Sequence, residues 1–348
     1  MIFRQFFDSA TSSFSYLLAA RPGGEALIID PVLEQVDLYL RRLNELDLRL
    51  VKAMDTHVHA DHVTGLGALR DQTQCITIMG EQSSADVVSM RVSDGDSIEI
   101  DGLVLTALYT PGHTDDSYCY AMPDRIFTGD TLFIRGSGRT DFQHGDARAA
   151  YDSLFNKVLA RPDETLVYPG HDYKGESVST IGEERAFNPR LQVASAEEYA
   201  AIMDNLDLPN PKLMDVAVPA NQAIGIDQTG QQDGGSRAAW ALDVAAVKLA
   251  GANDDDLLVD LREAGERHKR GAIAGSLHLP YAALEGAVGR GGLLHYEAGQ
   301  GKRLVFYCAF GERSTMAVKT AQAAGLDSVG HLVGGLDAWL KAGESVEY

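Results

Sequence analysis

His57-Val-His59-Ala-Asp61-His62 places four side chains that can bind a metal or move a proton within six positions, and His113, Asp130 and His171 follow further along the chain. Imidazole nitrogens and carboxylate oxygens are ligands of zinc and of non-haem iron. The groups arrive in recurring short motifs: Thr110-Pro111-Gly112-His113, Phe127-Thr128-Gly129-Asp130 and Pro169-Gly170-His171. A lone histidine is more often a structural residue than a ligand, but random placement is a poor explanation for this set, and a metal site is the reading. A second reactive group stands near the C-terminus, where the apolar run Arg303–Tyr307 ends in Cys308-Ala-Phe-Gly-Glu-Arg313-Ser314. If a helix starts there, backbone N–H groups and the positive end of its dipole surround the thiol and favour a thiolate or an anionic persulfide. On spacing alone, such a cysteine is more often a buried small hydrophobe.

Strand ends must deliver these side chains. Phe14–Leu18, Ala26–Ile29, Leu50–Met54, Ser97–Ile100 and Leu103–Leu108 read as strands, the last two joined by the turn Asp101-Gly102, and Val36–Leu46 reads as an amphipathic helix. Gly230-Gln-Gln-Asp-Gly-Gly-Ser-Arg237 is polar and glycine-rich, which makes it the linker candidate. The expected division is a domain over residues 1–230, a linker over 231–239 and a second domain over 240–348. After the linker the pattern alternates: a helix near Leu242–Ala250, the apolar Leu257–Leu261, a helix near Leu284, the strand Arg303–Tyr307, a helix from Ser314 to Ala324 and a segment at Val329–Leu332. That order predicts a small parallel sheet covered on both faces.

The 348 residues are 45% hydrophobic and 23% charged, a globular composition too long for most single cores. Thirty Lys and Arg against fifty Asp and Glu give a net charge of −20, so a nucleic-acid groove or an anionic membrane surface would be built against the overall field. No apolar run approaches the roughly 18 residues of a membrane span, and the N-terminus lacks the pattern of a secretory signal. Three widely spaced cysteines, Cys75, Cys119 and Cys308, suit a reducing compartment, and a cytoplasmic location is expected. Cys75 and Cys119 read as core thiols in strand segments.

The His-X-His-X-Asp-His motif, with the Pro-Gly-His113, Thr-Gly-Asp130 and Pro-Gly-His171 motifs, resembles the metallo-β-lactamase superfamily over about residues 1–230. The resemblance implies an αββα sandwich with a metal at one edge. All seven ligand positions of the dinuclear hydrolases such as glyoxalase II are occupied, so hydrolase and oxygenase both stay open at this level. Ile134-Arg-Gly-Ser-Gly-Arg139-Thr-Asp141 and His171-Asp-Tyr173, leading to Asn188-Pro189-Arg190, are similar to the persulfide dioxygenases. That resemblance implies one Fe(II) per chain held by His57, His113 and Asp130, two imidazoles and a carboxylate that leave positions open for substrate and O2. His59, Asp61, His62 and His171 would then orient ligands or order water, or alternatively hold a second metal. Arg139, Tyr173 and Arg190 would line a glutathione pocket, where guanidinium groups match the two carboxylates of glutathione.

Val259-Asp260-Leu-Arg262, Gly271-Ala-Ile-Ala-Gly275-Ser-Leu-His-Leu-Pro280, the Cys308 loop and Gly334-Gly335-Leu-Asp-Ala-Trp339 resemble, in order, the landmarks of the rhodanese family over roughly residues 240–346. Cys308 would be its catalytic cysteine, and Arg313 would help close the loop Cys308–Arg313. Related phosphatases use a ring one residue longer, so sulfane sulfur is favoured over phosphate. Asp260 and Arg262 read as a structural ion pair under the loop. Together the resemblances imply oxidation of glutathione persulfide by O2 to sulfite and glutathione, fused to sulfane-sulfur transfer between thiosulfate and glutathione. The competing readings are a dinuclear zinc hydrolase of glutathione thioesters and a C-terminal half that only senses persulfide or docks. Expected partners are small molecules, with no nucleic acid and no membrane. A homodimer is the commonest closed assembly of such enzymes.

Overall fold

The computed structural model describes residues 1–85, 87–206, 208, 213–225, 240–251 and 253–348. The chain separates into two compact units, Met1–Asp86 with Arg91–Gln228, and Val87–Met90 with Thr229–Tyr348. The glycine-rich stretch Gly230–Arg237 and the expected linker 231–239 lie outside the described residues.

The first unit is built on two sheets. β1 (Ile2–Asp8), β2 (Ser13–Ala19), β3 (Glu25–Ile29), β4 (Arg49–Met54), β5 (Ile76–Gly80) and β6 (Met90–Val92) pair in that order. β7 (Ser97–Ile100), β8 (Leu103–Tyr109), β9 (Tyr118–Ala121), β10 (Arg125–Gly129), β11 (Leu166–Pro169) and β12 (Ser179–Thr180) form the second sheet, again in sequence order. Every residue of β2 is buried, as a central strand covered on both faces requires, whereas β7 alternates exposed and buried. Between the sheets Tyr16, Phe127 and Tyr168 pack with ring centroids 5.0–5.6 Å apart, and the Tyr16 hydroxyl donates to the Pro169 carbonyl at 2.5 Å. The helix Val36–Glu45 turns Val36, Tyr39 and Leu43 inward, the spacing of one helical face. This is the αββα arrangement expected from the motifs.

Strand direction explains why distant motifs meet. β8 and β10 both run antiparallel to β9, and β10 is parallel to β11, so β8, β10 and β11 all end at the same edge of the sheet. The residues that follow those strands are the segments bearing His113, Asp130 and His171.

The second unit carries the small parallel sheet. β13 (Ala241–Leu242), β14 (Asp256–Asp260), β15 (Leu277–His278), β16 (Arg303–Tyr307) and β17 (Val329–Leu332) take the order β13-β17-β16-β14-β15, with every pair parallel. Helices such as Val244–Gly251, Leu284–Val288, Glu312–Ala323 and Gly335–Lys341 contribute buried side chains to it. Two local expectations need correction. Leu242 ends a short edge strand, and the helix starts two residues later because Trp240 and Leu242 carbonyls accept from His331 and Val333 along β17. Cys75 precedes β5 rather than lying within it, since Gln74 in the left-handed conformation ends the helix Leu66–Thr73 just before.

Candidate metal centre and cysteine loop

His57, His113 and Asp130 offer ligand atoms that all lie within 4.8 Å of one another, and all three are buried. His113 Nε2 is 3.5 Å from Asp130 Oδ2. Both imidazoles are held in one tautomer. His113 Nδ1 lies 2.7 Å from the Arg139 carbonyl, which only accepts, so Nδ1 carries the proton. Thr56 Oγ1 spends its proton on Asp30 Oδ2 at 3.1 Å, so at 2.9 Å it must accept from His57 Nδ1. In each ring the bare nitrogen is therefore Nε2. Burial, then the neighbouring His59, hold His57 well below the usual histidine range. Burial alone would raise Asp130, but His171, His113 and His57 outweigh it and hold its carboxyl below the usual range. Neutral imidazole and ionised carboxylate are the forms that bind a metal, so the donor set fits a divalent ion.

The remaining motif residues are gathered alongside but face other partners. His59 Nε2 is turned to Asp30 Oδ1 at 3.2 Å. His171 spans two carboxylates, with Nδ1 donating to Asp130 Oδ1 at 2.8 Å and Nε2 to Asp61 Oδ2 at 2.9 Å. Burial opposes its charge, yet Asp130 and Asp61 raise it well above the usual range. His62 Nδ1 also reaches Asp61 Oδ2 at 2.9 Å, and His59, Asp61 and His62 form a second cluster of ligand-type atoms.

Three residues that sequence reasoning passed over hold this arrangement. Asp30, with φ of +49°, accepts from the Thr56 N–H at 2.7 Å and from Thr56 Oγ1, tying the end of β3 to the His57 loop. Asn221, buried and far away in sequence, accepts from Thr64 N–H at 2.8 Å and donates to the His59 and His62 carbonyls, both at 2.8 Å. Ser13 Oγ donates to Asp61 Oδ2 at 2.9 Å. The Asp30-Pro31 strand end was a visible signal; nothing in the local sequence marks Asn221 or Ser13.

A cavity of about 720 Å³ opens beside the triad, lined by His113, Asp130, Phe133, Arg139, Tyr173 and Arg190 among others. The three residues named for a glutathione pocket thus share one cavity. Arg139 is forked onto Asp141, at 2.5 and 2.6 Å, and lies over the Phe142 ring. Arg190 donates Nη1 to the Ser137 carbonyl, and burial lowers its pKa. Tyr173 is 70% exposed, its ring parallel to that of His171 with centroids 5.8 Å apart.

In the second unit Cys308 follows the central strand β16, and Sγ accepts from the Gly311 N–H at 3.1 Å. Gly311, with φ of +98°, precedes the helix Glu312–Ala323. The Cys308 and Ala309 carbonyls accept from the Leu336 and Asp337 N–H groups at 2.8 and 3.0 Å, so the Gly-Gly-Leu-Asp segment fastens the loop from behind. Arg313 is fully buried and forks onto Glu266. Arg262 pairs with Asp260 at 2.6 and 2.9 Å and donates to the Gly271 carbonyl at 2.7 Å, the structural role expected of the pair.

The model of the metallo-beta-lactamase superfamily matches residues 9–85 and 81–171, and that of the rhodanese-like domain matches residues 244–342. The persulfide dioxygenase ETHE1, mitochondrial, of Homo sapiens is 44% identical over 229 residues, spanning 65% of this chain and 89% of its own length. The crystal structure of ETHE1 from Myxococcus xanthus is 53% identical with a TM-score of 0.64, covering 65% of this chain and all of that one. A metallo-beta-lactamase from Staphylococcus aureus subsp. aureus COL shares 22% identity with a TM-score of 0.60 over 96% of this chain, a likeness of fold alone. The chain belongs to the persulfide dioxygenase family of the metallo-beta-lactamase superfamily and carries a rhodanese-like domain after it.

Proposed function

We propose that the N-terminal region, residues 1–230, is an Fe(II)-dependent dioxygenase that converts glutathione persulfide and O2 to sulfite and glutathione, with one iron per chain. The region 240–348 would be a thiosulfate sulfurtransferase working through a Cys308 persulfide. The observation that carries the first half is the pair of bare Nε2 atoms on His57 and His113 converging with Asp130, while His59 is turned to Asp30. Two imidazoles and one carboxylate make the facial triad of non-haem iron oxygenases. When bound, the iron would bring the persulfide sulfur and O2 together so that oxygen is delivered to the terminal sulfur.

The chain's own residues do the rest. Thr56 and the Arg139 carbonyl hold the two imidazoles in the binding tautomer. His171 keeps the Asp130 carboxylate oriented through Oδ1. Arg139 and Arg190 line the cavity where the glutathione carboxylates would lie, and Phe133 and Phe142 supply its apolar wall. In the second half, Gly311 N–H and the start of the following helix stabilise negative charge on Cys308 Sγ. Glutathione persulfide is a common intermediate of the two reactions, which gives their fusion a chemical reason. The substrates are small molecules. Among the described residues no helix is long and apolar enough to cross a membrane, and a cytoplasmic enzyme is our reading, with a homodimer the assembly to look for.

A second reading keeps His59, Asp61, His62 and His171 as ligands in a dinuclear zinc site, favoured by the clustering of His59, Asp61 and His62 and by the contact of His171 with Asp61. The test is oxygen uptake by iron-loaded protein on addition of glutathione persulfide, with S-lactoylglutathione hydrolysis and metal content measured on the same sample. Uptake with sulfite formation and one iron per chain supports the dioxygenase; thioester cleavage with two zinc and no uptake replaces it with the hydrolase. A Cys308→Ser chain that keeps its thiosulfate:glutathione transferase activity would reduce the C-terminal half to a sensor or docking module.

A further inference from the structure

β17 supplies the cysteine loop with an imidazole. His331 on that strand brings Nδ1 to 3.0 Å from Ser314 Oγ, and Ser314 Oγ is 3.8 Å from Cys308 Sγ. Cys308 and Ser314 are fully buried and His331 is 5% exposed. The distances around Ser314 favour one direction for this chain: Thr315 Oγ1 lies 3.5 Å from His331 Nδ1 but only 2.8 Å from the Gly311 carbonyl, whereas Ser314 Oγ is 3.0 Å from each. The Gly311 carbonyl, 3.0 Å from Ser314 Oγ, already accepts from Thr315 twice, from its N–H at 3.0 Å and its hydroxyl at 2.8 Å. Two donors fill the two lone pairs of a carbonyl oxygen. The Ser314 proton is therefore directed to His331 Nδ1, and the oxygen is left to accept from the Cys308 thiol.

We propose that His331 is a positioning residue for Cys308, acting through Ser314 to take up the thiol proton. This rests on the reading of Cys308 as the sulfane-sulfur carrier. The thiol proton passes to Ser314 Oγ as the Ser314 proton passes to His331 Nδ1. The resulting thiolate is then held by the Ser314 hydroxyl and the Gly311 N–H. Its electron pair forms a bond to the outer sulfur of thiosulfate, the sulfur–sulfur bond of thiosulfate breaks, and sulfite leaves with that pair. Glutathione thiolate then attacks the outer sulfur of the Cys308 persulfide, carrying it away and returning the Cys308 thiolate, so no external oxidant or reductant enters.

Of the other charged groups in or against the loop, Glu312 accepts from Ser89 Oγ at 2.6 Å and Asp337 pairs with Lys341 at 2.8 Å. Arg313, on the helix Glu312–Ala323, has both Nη groups on Glu266, and Glu266 with Glu263 at the start of the helix Ala264–Arg270 faces that guanidinium rather than the sulfur. Arg313 contributes a fixed positive charge near Cys308, whereas His331 is the group that can accept its proton.

The test uses the full chain as wild type, His331→Gln and Ser314→Ala, each compared with its Cys308→Ser counterpart. Two quantities are followed against pH: the ultraviolet absorbance of the Cys308 thiolate, and the sulfite released in a single turnover with thiosulfate alone. In both variants the thiolate midpoint is expected to rise by about one pH unit or more, so that sulfite release near neutrality falls roughly tenfold and recovers in alkali. Glutamine keeps a hydrogen bond to Ser314 but cannot take a proton, so a wild-type midpoint in His331→Gln overturns the proposal, and a wild-type midpoint in Ser314→Ala does so even if His331→Gln fails to fold. Persistence of transferase activity in Cys308→Ser would instead sink the reading of Cys308 itself.

Discussion

Arg313 Nη1 and Nη2 donate to Glu266 Oε2 and Oε1 at 2.8 and 2.6 Å, joining the cysteine loop to the helix Ala264–Arg270 across 47 residues of sequence. Arg313 is fully buried and the Glu266 side chain is 11% exposed, so removing one partner leaves a charge with no compensation. Loss of one member of a buried pair costs about 3–5 kcal/mol. Glu266→Ala is expected to destabilise the C-terminal unit by about that amount and to abolish thiosulfate transfer, while oxygen uptake on glutathione persulfide persists. Denaturant unfolding and the two assays on one preparation check this; equal loss of both activities would mean that the damage is not confined to the loop.

Gly170 has no room for a side chain. A Cβ there would sit 2.5 Å from Asp130 Oδ1 and 2.9 Å from the Gly129 carbonyl carbon, closer than real side chains come. Gly170→Ala should therefore displace the Asp130 carboxylate from His57 and His113. Metal content, expected near one per chain in the wild type, is expected to fall by at least about tenfold at equal free metal, comparable to the loss of a group that supports a ligand. Circular dichroism should stay close to that of the wild type, and Asp130→Asn should lose metal at least as completely.

Arg190 reaches the cavity from a half-buried position and is held by Ser137, while Arg139 is already neutralised by Asp141. A charge-assisted hydrogen bond contributes about 1.5–3 kcal/mol. Arg190→Ala is expected to raise KM for glutathione persulfide by roughly ten- to a hundredfold with kcat within about twofold, the signature of lost binding common to ground and transition states. Arg139→Ala should cost less, because its partner Asp141 becomes a free like charge to the substrate only at the half-exposed rim. Steady-state oxygen uptake distinguishes the two variants.

Tyr307 gives the second unit an alkaline limit. Burial first, and then Asp260, push its phenol up to about 12 from 10.0. An acid whose folded pKa is raised binds more protons folded than unfolded between those values, so stability falls as pH climbs from about 10 to about 12. The stability advantage of the wild type over Tyr307→Phe should shrink by about 1–2 kcal/mol across that interval. Denaturant melts at both ends of the interval read it directly; a constant difference would place the loss elsewhere.

The order of apolar runs and turns in the sequence was enough to indicate short strands with a flanking helix in the N-terminal part and a parallel C-terminal sheet, because alternation, strand length and flanking glycine and proline are local properties; the two-sheet sandwich came from the family resemblance of the histidine motifs. The motifs likewise marked His57, His59, Asp61, His62, His113, Asp130, His171 and Cys308 as candidates, since each motif keeps its chemistry within a few residues of a strand end; the choice of His57, His113 and Asp130 as the triad and of Cys308 as the sulfur carrier came from the family resemblances. Sequence could not assign the direction in which those side chains point. That His59 turns to Asp30, that both imidazoles present Nε2, and that Arg313 leans onto Glu266 follow from neighbours brought in by strand pairing and helix packing. Asn221 clamps the His59–His62 loop from 159 residues away, and His331 approaches Ser314 only because β17 lies beside β16. Local periodicity specifies which residues end each strand; the tautomers, partners and charges of a site depend on a protein interior that forms only when the strands are assembled.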